Sequence, residues 1–118
     1  NYERLWSEIV KMGNNQFQLM ISTAPDKAVA ESLAERLIQA KLAACVNFIP
    51  QVTSVYHWQG KLERDDEVLM IIKSTAAHFS AIENFLDEHH PYDVPELISC
   101  NIKDISASYG QWLNNNLN

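Results

Sequence analysis

Only three glycines occur in the 118 residues. Loops that cradle phosphate groups depend on glycine-rich backbone, and this chain has no such segment. Arginine is equally scarce, limited to Arg4, Arg36 and Arg64. Arg36 falls on the polar side of a helical repeat and Arg64 inside an acidic run, so neither supplies the anion cradle of a phosphatase or acyl-transfer site. With no nucleophile–base pair in evidence either, the chain reads as a non-enzyme. Cysteine is limited to Cys45 and Cys100, without a CxxC pair or framework spacing. Two free thiols, Cys45 an inert one in an apolar strand, suit a reducing compartment, and a cytoplasmic location is expected. No apolar run nears the roughly 20 residues that span a bilayer, so no membrane partner is expected. Glu3, Arg4, Glu8 and Lys11 interrupt the N-terminus, which does not read as a signal peptide. Positive charge is also in deficit, with a formal net charge of −6. Nucleic acid is therefore excluded as the main partner, because backbone binding needs a basic patch. A cation remains compatible with this balance.

What is present is a regular alternation of strand and helix signals over one domain's length. Phe17, Leu19 and Ile21 alternate with Gln18, Met20 and Ser22, which predicts a strand. Thr23 is placed as the N-cap of the next helix, with Pro25 and Asp26 in its first turn. Val29, Ala30, Leu33, Ala34, Leu37 and Ile38 recur at helical spacing, predicting a helix as far as Lys41. A second strand starts near Leu42, is bulged or at a sheet edge because of Pro50, and resumes through Val52, Val55 and Tyr56. Gly60 marks a tight turn, and the acidic run 63–67 is expected to be a solvated turn. The apolar run 68–72 predicts a central strand buried on both faces. Phe79, Ile82, Phe85 and Leu86 define a second helix that Pro91 stops near His89. Leu97, Ile98, Cys100 and Ile102 predict a fourth strand, and Ser106 caps a short C-terminal helix.

This order gives an α+β fold of ferredoxin-like βαββαβ type. It is an antiparallel sheet with helices on one face plus a short C-terminal helix. Strands two and four are not neighbours in that topology, so Cys45 and Cys100 should not pair. Residues 1–16 form an N-terminal extension, read either as an amphipathic helix carrying Leu5, Trp6, Ile9 and Val10 or as sequence foreign to the domain. The domain itself spans 17–118. The long, aromatic-rich second strand needs shelter that a small monomer lacks, so a homo-oligomer with strand pairing between copies is expected.

The densest chemistry lies in His89-His90-Pro91-Tyr92-Asp93-Val94-Pro95-Glu96. Adjacent imidazoles beside carboxylates suggest a metal site, and the prolines restrict the loop. Successive helical residues point about 100° apart, so the alternative is one partly buried histidine, taken as His89, with an exposed neighbour. Tyr56 and Trp58 share a strand face near Lys61, and with Tyr92 and Glu96 they form a second candidate set for a ligand cleft, the alternative being interface packing.

Four ordered stretches carry a family likeness: 23–26, 41–47, 54–61 with Glu67 and Lys73 beyond it, and 90–96. Together they resemble the CutA (divalent-ion tolerance) family from about Phe17 to Leu113. The resemblance implies a ferredoxin-like subunit in a homotrimer, with a role in the response to divalent ions, copper first among them, and no catalysis. It implies His89 and His90 as copper ligands, with Ser22 standing where the family has a cysteine ligand. Serine is a poor ligand for a soft ion, so metal binding here should be weaker or different. The alternative is a small-molecule sensor or interaction scaffold like the PII signalling proteins, with ligand clefts between subunits.

Overall fold

A computed structural model describes Glu3 and residues 16–118. The reading of residues 5, 6, 9 and 10 as an amphipathic helix lies outside the described residues. From Phe17 onward the order is β1 (Phe17–Ala24), α1 (Lys27–Gln39), β2 (Cys45–Trp58), β3 (Lys61–Thr75), a 3-10 turn (Ala76–His78), α2 (Phe79–His89), β4 (Ile98–Asn101) and α3 (Ala107–Asn115). The strands form one four-stranded sheet in the order β2-β3-β1-β4, and every pairing is antiparallel. The result is a mixed α+β fold.

Helix α1 begins one turn later than predicted. Asp26, and not Thr23, is the N-cap, and its carboxylate accepts the Val29 N–H at 2.9 Å. Thr23 remains in β1 because its backbone is paired with Leu69. The helix ends in a Schellman turn. Lys41 takes a left-handed conformation with φ of 58°, its N–H donates to the Ile38 carbonyl, and the Leu42 N–H donates to that of Leu37. These bonds satisfy the last carbonyls and turn the chain into β2, so the helix stops short of Lys41.

The β2–β3 hairpin turns on Gln59 and Gly60, whose φ angles are 50° and 79°. Two successive positive values define the I′ geometry that matches strand twist. Pro50 and Gln51 form a bulge: Ile49 pairs with Leu69, whereas Val52 pairs with Glu67. The acidic run 63–67, expected as a turn, is strand in the structure. Glu63, Arg64, Asp65 and Asp66 pair with Tyr56, Val55, Ser54 and Thr53 in register. Charges sit on both faces there because β1 covers only residues 68–75 of β3. The distal hairpin is therefore a two-stranded arm, wet on both sides, and the period-two apolar signal is lost.

Met20, Ala24, Val68, Met70 and Ile72 of the sheet meet Ala30, Leu33, Leu37, Ile82 and Leu86 of α1 and α2 in the main core. β3 is central as predicted, yet only one of its faces is sealed: Val68, Met70 and Ile72 are buried, while Leu69 and Ile71 keep partial solvent access. Helix α3 does not join α1 and α2. Ala107 and Leu113 pack with Phe17 and Ala44 in a second cluster, and Tyr109 lies under the Lys73 ammonium at 5.7 Å. Lys73 is opposite Leu19 and Cys45, on the face turned away from the main core. Ser106 caps α3 as predicted, accepting the Tyr109 N–H. Cys45 and Cys100 are both free and lie on the two outer strands. Three strand spacings separate them, about 14 Å, too far for a disulfide.

Among the described residues one buried side-chain group lacks a partner: Ser22 is fully buried and its hydroxyl makes no hydrogen bond to any of them. An orphaned buried hydroxyl costs about 1–3 kcal/mol. Ser22→Ala should therefore raise the unfolding free energy by about 1 kcal/mol, read by urea denaturation. A loss of stability in that variant would show that the hydroxyl has a partner in solution.

Candidate functional site

His90 is the local keystone. The Leu86 carbonyl still accepts its N–H at 2.9 Å, closing α2, but its own backbone is extended because Pro91 follows. That break swings the imidazole under the end of β1. Its Nε2 lies 2.8 Å from the Thr23 carbonyl oxygen, and its Nδ1 accepts the Tyr92 N–H at 3.1 Å. These partners require the neutral tautomer with hydrogen on Nε2. His90 is only 7% exposed, whereas His89 is exposed. The expectation of a buried His89 with an exposed neighbour is thus reversed, because the chain leaves the helix between the two residues. His89 stacks on Phe85 and receives a 3.0 Å hydrogen bond at Nδ1 from the Arg36 guanidinium. Its Nε2 faces the Glu88 carboxylate at 3.6 Å. The two imidazoles do not converge, and among the described residues no three His, Cys, Asp or Glu side chains form a metal cage. Ser22 is fully buried.

The second candidate set does converge. Tyr56, Trp58, Tyr92 and Glu96 line a cleft of 680 Å³ together with Thr23, Glu67 and Asp93. Lys61 is not among its lining residues. It sits beyond the turn, paired with Trp58. Three parts of the fold build the walls: the end of β1, the length of the hairpin arm from Glu67 and Ser54 out to Trp58, and the Pro-Tyr loop that His90 pins in place. The sequence marks Glu67 only as the end of the acidic run and as part of the family-like pattern. It stands where the acidic run meets the apolar run, and that boundary is the signal for a carboxylate carried into the protein.

The electrostatics of the cleft are one-sided. Glu67 is 8% exposed and accepts the Tyr92 hydroxyl at 2.7 Å. Burial, then this bond to a carboxylate, pushes the Tyr92 phenol well above its usual range. Tyr56 donates to Asp65, and that bond, with some burial, pushes its phenol up to about 12. Both tyrosines are therefore neutral donors at any physiological pH. Burial, then repulsion from Glu67, raises the Glu96 carboxyl. Among the described residues no lysine or arginine lines the cleft, so its carboxylates have no counter-charge there.

The CutA1 divalent ion tolerance protein family matches residues 18–116 of the chain, which belongs to that family. A divalent-cation tolerance protein CutA of Escherichia coli is 43% identical over 107 residues, covering 91% of this chain and 96% of that protein. The crystal structure of CutA1 from Oryza sativa is 38% identical and superposes with a TM-score of 0.85, over 89% of this chain and 96% of its own. The CutA of Archaeoglobus fulgidus, described as a periplasmic divalent cation tolerance protein, is 31% identical with a TM-score of 0.82, over 85% of this chain and 97% of its own.

The raised Glu96 carboxyl has a defined sign. Its proton is held more tightly in the folded chain than in the unfolded one, so its ionisation weakens the fold as pH rises through the folded-state value. Glu96 keeps solvent access, which tempers the effect. Glu96→Gln should melt higher than the parent at pH 7, with the difference closing near the ordinary carboxyl range of about 4. Calorimetric melting across that interval checks this, and an advantage that grew on acidification would contradict the assignment.

Proposed function

We propose that this protein contributes to tolerance of divalent cations as a homotrimer of ferredoxin-like subunits, binding copper or a related ion weakly. The observation that carries the reading is the family match across residues 18–116. It is joined by a formal charge of −6 and by relatives whose names refer to divalent-cation tolerance. The order β2-β3-β1-β4, with α1 and α2 in one core, supports the ferredoxin-like description. Two unpaired thiols support a reducing, cytoplasmic setting.

The donor set bears on the metal. Both ring nitrogens of His90 are engaged, so within one chain it acts as a brace and not as a ligand. His89 offers Nε2 beside Glu88 on an accessible helix end, a pair able to hold an imidazole-preferring ion such as copper only weakly. Ser22 contributes no thiolate and is fully buried. Copper titration followed by calorimetry should show weak binding that His89→Ala abolishes. Affinity unchanged in that variant would sink the His89 assignment.

The assembly reading rests on the arm. Val55, Tyr56, Trp58 and Leu62 are all exposed on a two-stranded ribbon, which alone is marginal in water. Among the described residues the outer strands β2 and β4 also leave two sheet edges open for pairing. Native mass spectrometry should give three times the 13.5 kDa chain mass. A monomer at micromolar concentration would contradict the trimer.

A further inference from the structure

We propose that the cleft between the hairpin arm and the Pro-Tyr loop binds a protonated alkyl amine, with Glu67 as the counter-ion and Tyr56, Trp58 and Tyr92 as walls. The inference stands on the cleft's own geometry and is independent of the His89 copper assignment.

Glu67 is more than nine-tenths buried and lines the cleft, yet among the described residues it makes no ion pair. Its one recorded partner is the Tyr92 hydroxyl, a neutral donor. Its other oxygen has no recorded donor among the described residues, and Glu96 adds a second carboxylate to the same cleft. A ligand that brings positive charge and N–H donors complements this lining, and a neutral or anionic one does not.

The walls narrow the chemistry further. Trp58 and Tyr56 present aromatic rings, whose faces attract cations. At 680 Å³ the cleft lies within the range of roughly 300–1,000 Å³ typical of small-molecule sites. No three ligating groups converge among the described residues, so a bare metal ion would not find a coordination shell. An ammonium group needs none. It takes hydrogen bonds from its own N–H groups to one or two carboxylates, while its alkyl body lies along the rings.

Titration calorimetry with 1,4-diaminobutane tests this, using 1,4-butanediol as the uncharged match and magnesium chloride as the metal control. The diamine should bind and the diol should not. Glu67→Gln should weaken the diamine about tenfold or more, the loss of one charged hydrogen bond. Because Glu67 also holds Tyr92, Glu96→Gln provides a second variant at an exposed lining residue outside the arm, and it should weaken binding several-fold while the fold stays intact. His89→Ala should leave the diamine unaffected, which separates this site from the copper reading. Absence of diamine binding by the wild-type protein would overturn the proposal, whether the cleft is empty or filled by a lysine of a neighbouring copy. Equal binding of diol and diamine, displacement by magnesium at matched ionic strength, or unchanged affinity in both cleft variants would overturn it as well.

Discussion

The chain of hydrogen bonds through His90 ties together parts of the molecule that sequence places far apart. Its imidazole links the end of β1 to the loop after α2, and through Tyr92 that loop is fastened to Glu67 in β3. Each bond is ordinary, worth about 1 kcal/mol net. Their value lies in being shared: breaking the middle member frees a buried carbonyl, a loop amide and a carboxylate-bound phenol together. The loop that forms one wall of the cleft owes its position to this relay, since only four residues of β4 anchor it to the sheet.

Much of the fold was legible because its periodicities were intact. The α1 stripe of Val29, Ala30, Leu33, Ala34 and Leu37 and the α2 pair Ile82 and Leu86 reproduce the helical spacing and the core facing it. Gly60 announced the hairpin turn correctly. The misreadings share a cause, which is that local signals compete with partners distant in sequence. Thr23 resembles a cap, but cross-strand pairing with Leu69 holds it in β1. The run at 63–67 resembles a loop, but β2 gives every residue a partner.

The candidate site was legible in its residue types and not in its geometry. Two adjacent histidines suggest joint ligation, and a single proline after them sends one inward and leaves the other outside. Tyr56, Trp58, Tyr92 and Glu96 could be named from the sequence, yet Glu67, which completes their cleft, reads there as one acidic residue among several. Its burial depends on the Pro-Tyr loop folding over it, a contact between residues 25 positions apart. The fold and the family membership agree with each other. The chemistry of the cleft is carried by details of this chain, above all a buried carboxylate sharing the cleft with aromatic side chains and, among the described residues, no lysine or arginine.

The bulge at Pro50 and Gln51 also sets the phase of everything beyond it. Before the bulge, odd-numbered β2 residues share a face with Leu69 and Ile71. After it, even-numbered ones share that same face with Glu67 and Asp65. Two residues opposite one leave a single extra residue, which acts as a half-period offset in a repeat of two. A chain lacking that offset would turn Thr53, Val55 and His57 toward the Glu67 side and send Tyr56 and Trp58 outward. The aromatic character of the cleft is in this sense a counting property, decided several residues upstream of Tyr56 and Trp58.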